Sequence, residues 1–206
     1  MSDAERTKWN ARYAAEGARG EPSRLITELD DLLPTRGRAL DLAGGGGRHA
    51  IWLARRGLDV TLADISEAGI GIARAAASEA GVPLSTIAID LETDPFPEGP
   101  WDLILSFHYL HRPLFERAPR ALAPGGLFVV IHPTRSNLAR HPKPGPAFLL
   151  EDGEIQGLVR DLEIVRCEEG WLTEGRHEAR LVARKAPNAQ NARDAQKAQN
   201  ARGAPA

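Results

Sequence analysis

Cysteine is nearly missing from this chain. Cys167 stands alone, so neither an internal disulfide nor a multi-cysteine zinc site can form. The lone thiol reads as an inert core residue. Lysine is also scarce, 4 residues against 22 arginines, and with 32 alanines the skew points to GC-rich coding as readily as to any ligand. Long apolar runs are absent: the longest, 125–131 (GGLFVVI), is far below the roughly 20 residues of a membrane-spanning helix. The opening MSDAERTKWN is charged where a secretory leader would carry its apolar stretch. Basic residues are interspersed with acidic ones, 26 against 28, so the electrostatic footprint of a nucleic-acid binder is missing. These absences exclude membrane and nucleic acid as expected partners and leave a cytoplasmic enzyme or binding protein.

The 206 residues, 42% of them apolar, suffice for one core but hardly two. Residues 187–206 (PNAQNARDAQKAQNARGAPA) repeat AQNAR at 189–193 and 198–202, with alanine as their only apolar type. Such a stretch cannot bury enough surface to offset the entropy of ordering it, so a disordered tail is expected. It holds three bases and one acid, leaving 23 bases and 27 acids in residues 1–186, the expected single domain.

Within that domain, helical and strand patterns alternate. Helices are expected at 4–17, 23–33, 48–56, 66–80, 113–122 and 151–159; strands are expected at 38–43, 58–64, 84–90, 101–107, 126–132, 162–168 and 178–185. Strands separated by helices of this length imply right-handed crossovers and a parallel sheet. The last two strands are too close for a crossover, so an antiparallel ending is expected. The fold class is a three-layer Rossmann-like α/β sandwich with a seven-stranded, mostly parallel sheet. Its ligand should lie beyond the carboxyl ends of strands one, two and four.

The strongest chemical signal is Asp41-Leu42-Ala43-Gly44-Gly45-Gly46-Gly47, placed where the first strand must turn into a helix. Glycines strip the turn of side chains, so helix-start amides can approach a ligand closely. A merely flexible turn is the plain alternative. Gly45-Gly46-Gly47-Arg48-His49-Ala50 also fits the dinucleotide pattern, and Asp64 follows Gly45 by 19 residues, near where a ribose-binding acid belongs. A nicotinamide-dependent oxidoreductase is therefore a rival. Asp41 argues against it, because a carboxylate there would repel a pyrophosphate but attract a cation. S-adenosylmethionine carries an ammonium, a sulfonium, a ribose and an adenine but no phosphate. Asp41 can face the ammonium, Asp64 the ribose hydroxyls and Asp90 the adenine amino group, with Leu91 addressing the ring. Each acid alone also reads as a strand-end turn residue.

The runs LDLAGGGGRHAIWLARRGLDVTLADIS, IAIDLE, WDLILSFHYLHRPLF and ALAPGGLFVVI resemble a class I S-adenosylmethionine-dependent methyltransferase, most of all the small tellurite-resistance-type enzymes, over about residues 9–185. The resemblance implies a cofactor site of Trp9, Tyr13, Asp41, Ala43, Gly44, Gly45, Gly47, Arg48, Asp64, Ile65, Asp90, Leu91, Phe107 and His108. It makes residues 1–34 a helical lid, with Trp9, Arg12 and Tyr13 on one face, although simple packing of that helix explains the aromatic pair equally. One departure stands out: Ala43 replaces the first glycine of the family's loop, and it is expected to meet that position at negative φ. His108 is a candidate base or acceptor-orienting group, or only a hydrogen-bonding one. His177 and Arg180 are candidates to face an anionic acceptor, or else mark a solvated strand end. His108 and His111 form an H-x-x-H pair without further ligands nearby in sequence, so no metal is expected. The implied activity is methyl transfer to a small acceptor, a chalcogen oxyanion or thiolate, or an oxygen or nitrogen nucleophile, by a monomer or homodimer. Tyr109 is followed by Pro113 where a short-chain dehydrogenase would carry lysine, which weakens the oxidoreductase reading. A non-catalytic protein that only binds the cofactor is the remaining alternative.

Overall fold

The computed structural model describes residues 3–17 and 20–187, so all but the first residue of the expected tail lies outside the described residues. Seven strands form one sheet in the order β3-β2-β1-β4-β5-β7-β6. They are β1 (Arg38–Leu42), β2 (Asp59–Asp64), β3 (Ser85–Ala88), β4 (Trp101–Phe107), β5 (Leu122–Pro133), β6 (Glu163–Trp171) and β7 (His177–Arg184). The first five pair in parallel; β7 runs antiparallel to both β5 and β6. The helices are α1 (Asp3–Glu16), α2 (Arg24–Thr27), α3 (Arg48–Arg55), α4 (Glu67–Ala80), α5 (Leu114–Ala121) and α6 (Glu154–Leu158). No helix among the described residues is long and apolar enough to cross a membrane.

The central strands read as continuous apolar runs because both faces are covered. Leu103, Leu105 and Phe107 of β4, with Leu127, Val129 and Ile131 of β5, join the core that includes Leu25, Leu53 and Ile70 from α2, α3 and α4. The alternate residues Ile104, Phe128 and Val130 join Leu114, Phe115 and Ile155 from α5 and α6. This period of two assigns the remaining polar side chains to a face. Asp41 lies on the α3 side, and Glu178 and Arg180 fall on the same face of β7 as Val182.

Local chemistry sets the ends of the elements. Ser66 caps α4 by accepting from the Gly69 amide at 3.1 Å, and Gly81 closes that helix at φ 67°. The expected helix over 23–33 shrinks to Arg24–Thr27, followed by turns to residue 32. Its end residue Glu28 is taken up by Arg180 and Thr173, contacts that a local pattern does not reveal. Strand β5 begins at Leu122, before the expected 126, because α5 runs straight into it. Cys167 is half-buried at the margin of the α5–α6 core, not fully inside as expected, and burial pushes its thiol up.

Candidate active site

The carboxyl ends of β1, β2 and β4 meet the glycine turn. Hydrogen bonds hold that turn shut: Gly44 donates to the Ala63 carbonyl at 3.4 Å and Gly47 to the Gly44 carbonyl at 3.0 Å. Gly47 sits at φ 82° as the residue entering α3, and a Cβ there would stand 2.8 Å from the Ala73 Cβ. A Cβ on Gly45, at φ 54°, would collide with the Tyr13 hydroxyl, and one on Gly44 would reach 2.7 Å from Asp41 Oδ2. The glycines therefore make room for a lid above and a carboxylate below. Ala43 corrects its expectation: it adopts φ 53°, left-handed, as a glycine would. The turn geometry overrides the preference of the Cβ there.

Asp41 is 1% exposed, and neither carboxylate oxygen has a hydrogen-bond partner among the described residues. Burial, with the charge of Asp64 adding to it, pushes this carboxyl up to about 7; the Ala50 amide and Arg48 pull the other way. A buried acid that no closely made hydrogen bond or ion pair satisfies is costly unless something cationic completes it. Asp64, ending β2, accepts from the Gly45 amide at 2.8 Å and the Ser66 amide at 2.7 Å, so it binds the glycine turn to the start of α4. Burial raises its carboxyl, and those amides with that of Ile65 oppose the rise. With three amides on about four lone-pair sites, the carboxylate keeps acceptor capacity for a hydroxyl. Ile65 itself is buried at the same junction.

Asp90 lies two residues beyond β3, and its Oδ1 accepts from the Glu92 amide at 2.9 Å. The Leu91 side chain is buried in the α5–α6 core. Its carbonyl accepts from Arg117 at 2.8 Å.

Helix α1 lies over this end. Asn10 Oδ1 accepts from Ser66 Oγ at 2.7 Å and from the Ala68 amide at 3.2 Å. Trp9 and Tyr13 pack together, ring centroids 6.1 Å apart, and Tyr13 touches the positions of Gly45 and Gly69. Arg12 is exposed beside them, paired with Glu16 at 3.0 Å and lying over the Trp9 ring.

Beyond β4 the ring of Phe107 lies between His49, at 4.4 Å, and His108, at 4.2 Å, with Arg48 over its face. His49 and His132 are buried, and burial first of all drops them to about 3 and about 4, so both are neutral at physiological pH. His108 has φ 57°, and its Nε2 lies 2.6 Å from Glu178 Oε1 on β7. Glu178 is fully buried, and its Oε2 has no partner among the described residues.

The structure does not bring His177 and Arg180 to His108. Arg180 corrects its expectation outright: Nε and Nη2 hold Glu168, and Nη1 holds Glu28 at 2.9 Å and the Leu25 carbonyl at 3.0 Å. Its guanidinium is spent on joining α2 to the β6–β7 hairpin. His177, one residue from Glu178, presents to the other face. Its Nδ1 is 2.6 Å from Thr134 Oγ1, its ring meets Trp171 edge-on, and Asp152 and Glu169 converge there with their nearest atoms within 4.8 Å. Glu178 and His132 were not read as site residues. Glu178 stands among the charged and polar residues His177, Arg180 and Arg184 of its own strand, so nothing local marked it.

Comparison with known proteins agrees with this geometry. Residues 39–126 match the model of a methyltransferase domain. An uncharacterized methyltransferase, sll0829, from Synechocystis is 31% identical over 130 residues, 59% of each chain, so this chain spans about three-fifths of the length of that curated relative. Among solved structures, TehB from Haemophilus influenzae superposes with a TM-score of 0.67 at 20% identity, over 86% of this chain and 67% of that one. A structure described as converting a disulfide bond into a thioacetal group during echinomycin biosynthesis superposes with a TM-score of 0.71 at 19% identity, over 95% and 97%. The fold is the one shared by these solved structures. Residues 39–126, the stretch that matches the methyltransferase-domain model, carry the glycine turn and all three strand-end acids.

Proposed function

We propose that the chain is a small-molecule methyltransferase that uses S-adenosylmethionine. The observation that supports this most is Asp41, a buried carboxylate with no closely made hydrogen bond or ion pair, beneath a turn stripped of side chains. An ammonium completes such a site, whereas a pyrophosphate is repelled by it. Bound there, S-adenosylmethionine supplies an electrophilic methyl group on a sulfonium. Asp41 would face its ammonium end, Asp64 the ribose hydroxyls and Asp90 the adenine amino group. Tyr13 and Trp9 of α1 would cover the glycine turn and keep water from it. Phe107 and His108, ending β4, would border the acceptor. The resemblance to tellurite-resistance-type enzymes and the disulfide chemistry named for one structural neighbour both favour a sulfur or heavier chalcogen nucleophile over oxygen or nitrogen.

Calorimetry with S-adenosylhomocysteine and with NAD tests the reading directly. Saturable binding of the former and none of the latter is expected; tighter binding of NAD would sink it in favour of an oxidoreductase. Incubation with labelled donor and a panel of thiols, selenite and tellurite then reads the acceptor. Donor binding with no labelled product from any acceptor would leave a cofactor-binding protein without transfer activity.

A further inference from the structure

We propose that His108 and Glu178 form a proton-accepting dyad, and that the acceptor is a small thiol or hydroxyl compound whose nucleophilic atom still carries its proton at neutral pH. The inference rests on the methyl-transfer reading and narrows it, because an already ionised oxyanion or telluride needs no base.

Three observations carry it. First, the imidazole is held by one nitrogen only: Nε2 lies 2.6 Å from Glu178 Oε1, while Nδ1 has no partner among the described residues and the ring is 33% exposed. A carboxylate that accepts from Nε2–H leaves a lone pair on Nδ1, the tautomer a base requires. Second, Glu178 is 0% exposed and its Oε2 is unpartnered, an expensive arrangement that a purely structural link between β4 and β7 does not need. Third, His108 is held in the left-handed region, with its amide donating to the Ile131 carbonyl at 2.8 Å. Non-glycine residues held there tend to be aimed at something. The ring contacts His49–Phe107–His108 connect the dyad to the first turn of α3, beside the glycine turn.

Proton and electron bookkeeping closes without a further reagent. The acceptor's lone pair forms the bond to the methyl carbon as the carbon–sulfur bond of the donor breaks, its electron pair staying on sulfur. The acceptor's proton passes to Nδ1 of His108. Glu178 is a positioning residue: it selects the tautomer and faces the imidazolium that results, and the proton then leaves to solvent from the exposed ring.

Three measurements on the full chain test this. Calorimetry with S-adenosylhomocysteine is run on the wild type, His108→Asn and Glu178→Gln; asparagine tolerates the left-handed backbone, so the first variant keeps the fold if the second does not. No binding by the wild type overturns the methyl-transfer reading itself. Binding that changes by more than about tenfold in a folded His108→Asn puts the dyad in the donor site and overturns the inference alone. Long-range proton–nitrogen spectra of the histidines are then expected to show a bare Nδ1 and a protonated Nε2 at His108. Glu178→Gln should shift those nitrogens and leave buried His49 and His132 unmoved. A proton on Nδ1 of the neutral ring, or a His108 signal indifferent to Glu178→Gln, overturns the proposal. Finally, an alkanethiol and a phenol are compared with tellurite under labelled donor. His108→Asn is expected to lower turnover of every acceptor, and that of the protonated ones at least about tenfold more than that of the ionised one. Equal losses on both overturn it, and if the wild type turns over none of them the spectra alone decide.

Discussion

The two ends of the cleft are built in different ways. At the donor end, Asp41, the glycine turn and Asp64 come from one run of 24 residues, and backbone amides do most of the holding. At the acceptor end, His108 meets Glu178 across 70 residues of sequence, and a buried side-chain pair does the holding. Backbone-built sites tolerate sequence change around them but not a Cβ within them. Side-chain-built sites depend on register, since a slip of one residue in β7 would bring His177 to His108 in place of Glu178.

That contrast can be broken or sharpened by experiment. The largest effect is expected outside both ends: Arg180→Met, which strands Glu28 and Glu168, should lower unfolding stability by about 3 kcal/mol in denaturant titration while S-adenosylhomocysteine still binds. Loss of donor binding with stability intact would return Arg180 to the site. Asp41→Asn should weaken S-adenosylhomocysteine by about 100-fold, roughly 2.7 kcal/mol, with the melting temperature unchanged or raised because a buried charge is removed. Gly47→Ala puts a Cβ 2.8 Å from that of Ala73 at positive φ and should cost about 2 kcal/mol of stability, read by thermal melting.

A pH titration separates the ends further. The Asp41 carboxyl, pushed up to about 7, is protonated in the free protein below that pH, and only its ionised form pairs with an ammonium. Affinity for S-adenosylhomocysteine should therefore fall as pH drops below about 7, by up to about tenfold per pH unit, with proton release on binding. Asp41→Asn should flatten the profile. The sign for folding is opposite: because the raised carboxyl favours its neutral form when folded, its contribution to stability is lost as pH rises from the ordinary carboxylate range to about 7. The smallest effect is at Ala43, where glycine at φ 53° should change stability by less than about 1 kcal/mol, strain relief being partly offset by a freer unfolded chain.

The legible parts of the molecule follow this division. The type of the strands and their succession along the chain were readable because each alternates or runs apolar over its own length. β4 matched its expected bounds at Trp101–Phe107, and β1 and β2 came within a residue. The three acids were legible as strand ends. The short α2 was not, since Glu28 is drawn to Arg180 and Thr173 from the far hairpin. Arg180 looked like a free cation until its two acidic partners, distant in sequence, were in view.

By itself the sequence determined the sheet, its mostly parallel order and the glycine turn with its acids, because hydrophobic period and backbone freedom are local properties of the chain. Tertiary structure alone decided that His108 faces Glu178, that Arg180 is locked away and that Asp41 is left bare. Burial and pairing depend on which distant segments arrive beside a side chain, and no local pattern carries that information.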